Sequence, residues 1–448
     1  MKLTQALGQY LELYRASKCS TTGALARLNR LAADAMPAAI ENYKANATDP
    51  DETRLAAMFA PDYGVNINRV DIPADIAASF RCGVPQLNSL LVVVANDIFH
   101  ATDSLSKNMP EGMHVKSLRD DLPEEAAAYL FESIKPAYPE VLANSLLAHD
   151  GVYIHVDRGI DIEKPVQIVN IFSSPVAMLT PRRVLIVAEE NSRVRVLLCD
   201  HTQNSDVQHL NSQVVQIVAK AGAQVELYDI EESGAATNRV NTVFADIHKD
   251  ARLVLNSNFL HGGVSRNEFI VNLEGDGADA NLSGLGICAD KQMLDTRVTL
   301  RHNCRHGNSR QIFKNALYDE ARGFFGGKII VEEGAEHTDA AQTNRNILVS
   351  EKARMQTSPQ LEIYCDEVKC SHGATTGQLD ERAMFYMQTR GIPADEARRM
   401  LTQAFMADVV DNISFEVLRQ RLHILVEKRL SGAAGSCETC ATSCRGAN

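Results

Sequence analysis

The chain has 448 residues, 45% of them hydrophobic, and a formal net charge of −12. That length supports two or three folding units with a sizeable core. The acidic balance argues against general nucleic-acid binding and against attachment to an anionic membrane surface, and no apolar run approaches the length needed to span a bilayer.

Residues 1–145 read as a mainly helical N-terminal domain. Ala, Leu and Glu are dense in Thr22–Asn29 and Pro123–Leu130, as in amphipathic helices. Asp and Pro interrupt the pattern at Thr48–Asp51 and at Pro61-Asp62. Met1–Glu12 carries a single Lys2 and no continuous apolar stretch, so no export signal is expected. The expected compartment is therefore the cytoplasm, with the ten cysteines held as reduced thiols rather than as a disulfide framework. For Cys19, Cys82, Cys199, Cys288 and Cys304 the simplest reading is a small buried apolar residue.

The character changes near Asn144. Residues 146–378 read as a β core of short alternating strands, such as Arg193–Val196, Gln224–Leu227 and Arg252–Leu255. Each follows a polar corner: Glu189–Ser192, Lys220–Ala223 and Lys249–Ala251, with similar corners at Glu274–Gly277 and Ser350–Ala353. The early corners recur about every thirty residues, a period that predicts a stacked solenoid. Helix-forming stretches between the strands are scarce, which disfavours βαβ units. The absence of hairpin Asn-Gly turns favours a β-helix over a sandwich.

Residues 379–431 read as a C-terminal helical domain. It has an acidic first turn at Asp380-Glu381, a break at Arg390–Pro393 and two further amphipathic stretches. Residues 432–448 form a Gly/Ala/Ser-led tail that holds Cys437, Cys440 and Cys444.

Three groups of side chains have metal-ligand chemistry. Cys370 and His372 lie two apart in a strand-like run, so both face one side; thiolate and imidazole both ligate iron in iron–sulfur sites. Against this stands a packed thiol and an ordinary surface histidine. His302, Cys304 and His306 are spaced i, i+2, i+4, which would place all three on one strand face as a weaker metal candidate; their Arg-rich, Gly-broken surroundings also fit a solvated loop. The tail trio Cys437, Cys440 and Cys444 has C-x2-C-x3-C spacing that can wrap a soft metal, or is simply a chain end. There is no phosphate-binding G-x-x-x-x-G-K-[ST] loop, no nucleophile elbow and no H-E-x-x-H, so an enzyme is not expected.

The stretch Phe325–Asp380 contains linked words at fixed offsets. They are Gly327-Lys328-Ile329, Thr338-Asp339-Ala340, Gln342-Thr343-Asn344, Pro359–Ile363 and Val368–Thr375. In these words the chain closely resembles the SufB/SufD family, scaffold subunits of bacterial iron–sulfur cluster assembly. Looser likeness appears at Tyr63–Asn68, Phe99, Phe385-Tyr386 and Arg390–Ile392. The resemblance implies a mainly β protein: a right-handed parallel β-helix core flanked by N- and C-terminal helical domains. It also implies a transient Fe–S cluster shared with SufB, pairing with SufB through β-helix edges, and binding of the ABC-type ATPase SufC by the C-terminal helices. A cysteine desulfurase system would be an indirect partner. Neither nucleic acid nor a membrane is expected as a partner. The sequence leaves open whether a flavin binds.

Within the family, SufB-type subunits carry a reactive cysteine near the strand that here reads Thr343–Ile347. This chain has none between Cys304 and Cys365, and it has Gly373 where SufB usually has Glu. Both departures favour the SufD type over the SufB-type paralogue. The resemblance singles out His372, whose counterpart faces SufB, and adds less to Cys370. The apolar stripe Phe385, Met387, Leu401, Phe405 and Val409 is expected to dock on the ATPase, rimmed by Arg398 and Arg399. A carbohydrate-active β-helix enzyme is the remaining alternative. The chain has no Trp and only 6% aromatic residues to form sugar platforms.

Overall fold

The structure, a computed structural model, describes residues 3–17, 22–45, 50–67, 72, 87–203 and 206–432. The tail cysteines Cys437, Cys440 and Cys444 lie outside the described residues.

Polar corners set the architecture. At Asn191, Gly222, Asp250, Gly277, His306 and His337 the backbone turns with φ between 54° and 75°. Gly, Asn and Asp enter this left-handed region most easily. Each of these N–H groups donates to a carbonyl one turn further on: Asn191 to Ala221, Gly222 to Lys249, Asp250 to Asp276, Gly277 to Arg305, His306 to Glu336 and His337 to Glu367. The corners therefore stack in a column. Gly222 is required twice over, since an added Cβ would also stand 2.2 Å from Asn191 Oδ1.

The strands run in chain order as β1 (Gly64–Val65), β2 (Leu90–Ala95), β3 (Ile98–Ala101), β4 (Met113–Ser117), β5 (Val152–Val156), β6 (Val166–Phe172) and β7 (Met178–Ala188). Then come β8 (Arg193–Thr202), β9 (His209–Ala219), β10 (Gln224–Glu232), β11 (Thr237–Ile247), β12 (Arg252–His261), β13 (Val264–Leu273) and β14 (Asp279–Cys288). The last are β15 (Met293–His302), β16 (Asn308–Leu317), β17 (Arg322–Val331), β18 (Asp339–Leu348), β19 (Arg354–Ile363) and β20 (Lys369–Gly377). Odd strands from β5 to β19 build one sheet and even strands from β6 to β20 the other. Every pairing within these two series is parallel. Gln224 lies beside Arg252, Arg252 beside Asp279 and Asp279 beside Asn308, so one turn takes about thirty residues, the period of a β-solenoid.

Inward-facing residues alternate along each strand. Val225, Leu227, Val243, Ala245, Leu253 and Leu255 form the apolar half of the interior. Further along the same inward face the interior becomes polar. Arg239, 1% exposed, lies 2.6 Å from Asp229, 3.1 Å from Glu231 and 3.2 Å from Asp200. Arg182 stands 3.5 Å from Asp200, with its guanidinium over the Phe172 ring. Burial holds the Glu231 carboxyl well above the usual range, and the neighbouring Arg239 charge offsets part of that shift.

Helices cover the outside. The N-terminal ones are α1 (Leu3–Ala16), α2 (Gly23–Ala45), α3 (Pro50–Met58), α4 (Asp103–Asn108), α5 (Glu124–Glu132) and α6 (Pro139–Leu147). Leu3, Leu7, Met36, Phe59 and Leu142 pack on Leu179, Leu210 and Val240, the outer face of the odd sheet. The C-terminal helices are α7 (Glu381–Thr389), α8 (Ala394–Asp411) and α9 (Glu416–Leu430). Met406, Val410, Leu418 and Leu422 pack on Tyr228, Ile230, Leu285, Ile287 and Ala316 of the even sheet.

The region before residue 145 also contributes strands, which the helical reading does not include. The continuous apolar run Leu90–Ala95 pairs parallel with β6, and Met113–Ser117 pairs antiparallel with β5. The two ends of the solenoid therefore differ. At the first turn β3 and β4 lie antiparallel against their neighbours. At the last turn β19 and β20 have no further strand beside them among the described residues.

Candidate functional site

The uncovered last turn carries the first candidate pair. Cys370 pairs in register with Ala340 and His372 with Gln342, both buried inward-facing residues of β18. The i, i+2 spacing therefore puts thiol and imidazole on the inward face of the last rung. With no rung above it, His372 is exposed and Cys370 half-buried. Cys370 rests on the terminal core cluster of Ile329, Val331, Ala335 and Ala340. Burial pushes its thiol up, opposed by a hydrogen bond with the Ala340 backbone and reinforced by Asp339. It is therefore a thiol, not a thiolate, at neutral pH, and would ligate a metal only by giving up its proton.

Sequence reasoning passed over Cys365, in the loop between β19 and β20. It is half-buried against the same terminal cluster as Cys370. The signal was its place five residues before Cys370, but only the closing of the last turn brings both onto one cluster. The five described cysteines, including Cys199, Cys288 and Cys304, are all free.

His302, Cys304 and His306 do not share a strand face. Strand β15 stops at His302, so the two-residue alternation ends there. His302 is fully buried, 3.0 Å from Ser309 Oγ, and burial lowers it to about 4. Cys304 is buried beside it around Gly307, and burial pushes its thiol up to about 11. His306 is swung outward by the left-handed corner, φ 56°, and stacks on His337 with ring centroids 4.8 Å apart. The strand-face ligand set is corrected to two core residues and one surface ring.

The proposed docking stripe also divides. Val409 is buried and Phe405 half-buried in the cluster that seats α8 on the even sheet. Lys314 Nζ sits over the Phe405 ring, donates to the Phe405 carbonyl at 2.8 Å and pairs with Asp408 at 2.5 Å. The apolar surplus expected for a partner is thus spent on the solenoid, and Val409 is withdrawn from the docking surface. Leu401 and Met387 are half-buried. Helix α7, in contrast, buries none of its residues, and Phe385 and Tyr386 are 68% and 59% exposed. Its N-terminus is fixed by Asp380, whose side chain accepts from the Arg382 and Ala383 N–H groups. The rim residues Arg398 and Arg399 pair within their own helix, with Asp395 and Glu396.

Among the described residues, no helix is long and apolar enough to cross a membrane.

Comparison with known proteins matches the chain to two family profiles. Residues 171–405 match "SUF system FeS cluster assembly, SufBD core domain", and residues 4–168 match "SufBD protein N-terminal region". An iron–sulfur cluster assembly SufBD family protein of Synechocystis is 29% identical over 391 residues, 84% of this chain and 85% of the relative. The iron–sulfur cluster assembly protein SufD of Escherichia coli is 38% identical over 186 residues, 42% of this chain and 44% of the relative. SufD of Bacillus subtilis is 26% identical over 288 residues, 64% of this chain and 66% of the relative.

Proposed function

This chain belongs to the SufBD family of SUF-system iron–sulfur cluster assembly proteins, and from that premise we propose that it works as a SufD-type subunit. In this reading it is a cytoplasmic scaffold without catalytic turnover of its own, with a SufB-type subunit and the ATPase SufC as partners. The nascent cluster is cargo, built where the open solenoid end meets SufB from sulfur that a cysteine desulfurase system provides.

One observation carries the reading. His372 and Cys370 stand on the inward face of the last rung, at the end of the solenoid where the parallel strands β19 and β20 have no further strand beside them among the described residues. A ten-residue and a nine-residue strand edge left unpaired beside exposed Tyr364 suits pairing with another chain. In that pairing the imidazole faces the partner. A neutral ring nitrogen there can ligate iron or orient another ligand. Phe385 and Tyr386 of α7 are the surface we assign to SufC.

The test is coexpression with SufB and SufC, followed by iron and sulfide analysis and visible absorbance of the purified complex. His372→Ala should leave assembly intact and sharply lower the cluster load. Cys370→Ser should do less, because its thiol is protonated and packed. A His372→Ala complex with wild-type iron and sulfide would refute the site.

A further inference from the structure

At the opposite end of the solenoid, the antiparallel register of β4 and β5 sets His114 directly across from His155. Met113 and Val115 of β4, and Ile154 and Val156 of β5, point into the apolar core. The two histidines therefore share the outer face of the odd sheet. Asp157, just past the end of β5, lies beside both rings. Its Oδ2 is 3.5 Å from His114 Nε2, and its Oδ1 is 3.3 Å from His155 Nδ1. One ligand atom from each of the three residues lies within 4.8 Å of the others.

The two histidine–carboxylate contacts are close to the ligand spacing of a coordination shell. A metal bonded to nitrogen and oxygen at about 2.0–2.1 Å in a tetrahedron spaces its ligand atoms by about 3.3 Å. The outer contacts point the same way. The other nitrogen of His155, Nε2, lies 3.3 Å from Glu189 Oε1, and Lys220 holds Glu189 at 3.1 Å. With Glu189 engaging Nε2, Nδ1 is the ring nitrogen on the Asp157 side that a cation would take. His114 and Asp157 are each 48% exposed and His155 22%, so an ion has an entry path and an open coordination position.

We propose that His114, His155 and Asp157 bind a divalent first-row transition cation, with Glu189 as the positioning residue of His155. Two imidazoles and one carboxylate with an open position suit Zn2+ or Fe2+ rather than Mg2+ or Ca2+, which prefer all-oxygen shells. The last rung lies eight strand steps away in the odd sheet, roughly 40 Å at 4.7–4.9 Å per step. The site is thus separate from the His372 end and stands whether or not the cluster-assembly reading does.

The experiment uses the full chain with Cys437→Ser, Cys440→Ser and Cys444→Ser, so that tail thiols do not compete. Co2+ titration should give visible d–d bands from a nitrogen–oxygen site without thiolate charge transfer, and Zn2+ dialysis should show the matching equivalent. His114→Ala should remove that equivalent, as should His155→Ala. Glu189→Gln should weaken binding by about 10–100-fold while keeping the spectrum. His114 sits on an exposed edge strand, so its variant keeps the test sound if His155→Ala fails to fold. Failure of the parent protein to bind either ion would overturn the proposal. Unchanged stoichiometry in the His114→Ala/His155→Ala double variant would overturn it too.

Discussion

Gly327 of β17 and the Gln342 side chain of β18 fit against each other so closely that a Cβ on Gly327 would stand 2.2 Å from Gln342 Nε2 and 2.5 Å from its Oε1. Gln342 is buried, donates to Gln311 Oε1 at 2.8 Å and lies beside His372 in the last pairing. Gly327→Ala should therefore drive Gln342 toward the last rung. The backbone-entropy gain of Gly→Ala is about 0.5–1 kcal/mol, whereas overpacking a core costs about 1–3 kcal/mol. Net destabilisation is expected in urea unfolding, with part of it recovered in Gly327→Ala/Gln342→Ala. An unchanged midpoint for Gly327→Ala would disprove the fit.

Phe385 and Val409 should behave oppositely. Phe385→Ala removes an exposed ring, so the melting temperature should hold while SufC binding weakens. Val409→Ala opens a cavity between α8 and the even sheet and should cost about 1–3 kcal/mol with SufC affinity unchanged. Isothermal titration against purified SufC, with thermal melts alongside, separates the two. Loss of affinity in Val409→Ala alone would return the docking surface to α8.

Acid should unfold the protein partly through its buried imidazoles. His302 is lowered to about 4, as is His209, both chiefly by burial. Above pH 6.5 both states are neutral and the groups contribute no pH dependence. Below it the unfolded chain takes up the protons first, so stability falls as pH drops from 6.5 to about 4. For His302 the loss is about 3 kcal/mol at 1.36 kcal/mol per unit. Urea midpoints at pH 7, 5.5 and 4.5 should fall in turn, and His302→Gln should flatten roughly half of that slope. An unaltered slope would show that His302 is protonated in the fold.

Purified alone, the chain should turn over no ATP, because no phosphate-binding loop occurs in it. Phosphate release above a boiled control, and persisting through repeated purification, would contradict the scaffold reading.

The period of the solenoid was legible because corner chemistry is local. Asn191, Gly222, Asp250 and Gly277 take positive φ in just the segments that read as polar corners. That Cys370 and His372 share one face followed from alternation within one strand; that this is the inward face came only from their register with β18. The failures are long-range. Leu90–Ala95 is a continuous apolar run of the kind buried strands share with buried helix segments, and only its pairing with β6 decides between them. Whether the stripe on α8 met a partner or its own sheet depended on how the helix folds back, which no periodicity records. His114 and His155 are 41 positions apart in the chain and meet only through an antiparallel register.

The ion pairs of Arg239 have a consequence for how the coil counts its turns. Parallel rungs are nearly interchangeable, and a backbone ladder displaced by one whole turn would keep almost every hydrogen bond. Arg239 has its three acidic partners, Asp200, Asp229 and Glu231, at one height only. A chain wound one turn out of step would strand that cation in a dry interior, a penalty of several kcal/mol. The charge acts as an index mark, so that the rung bearing His372 comes out last.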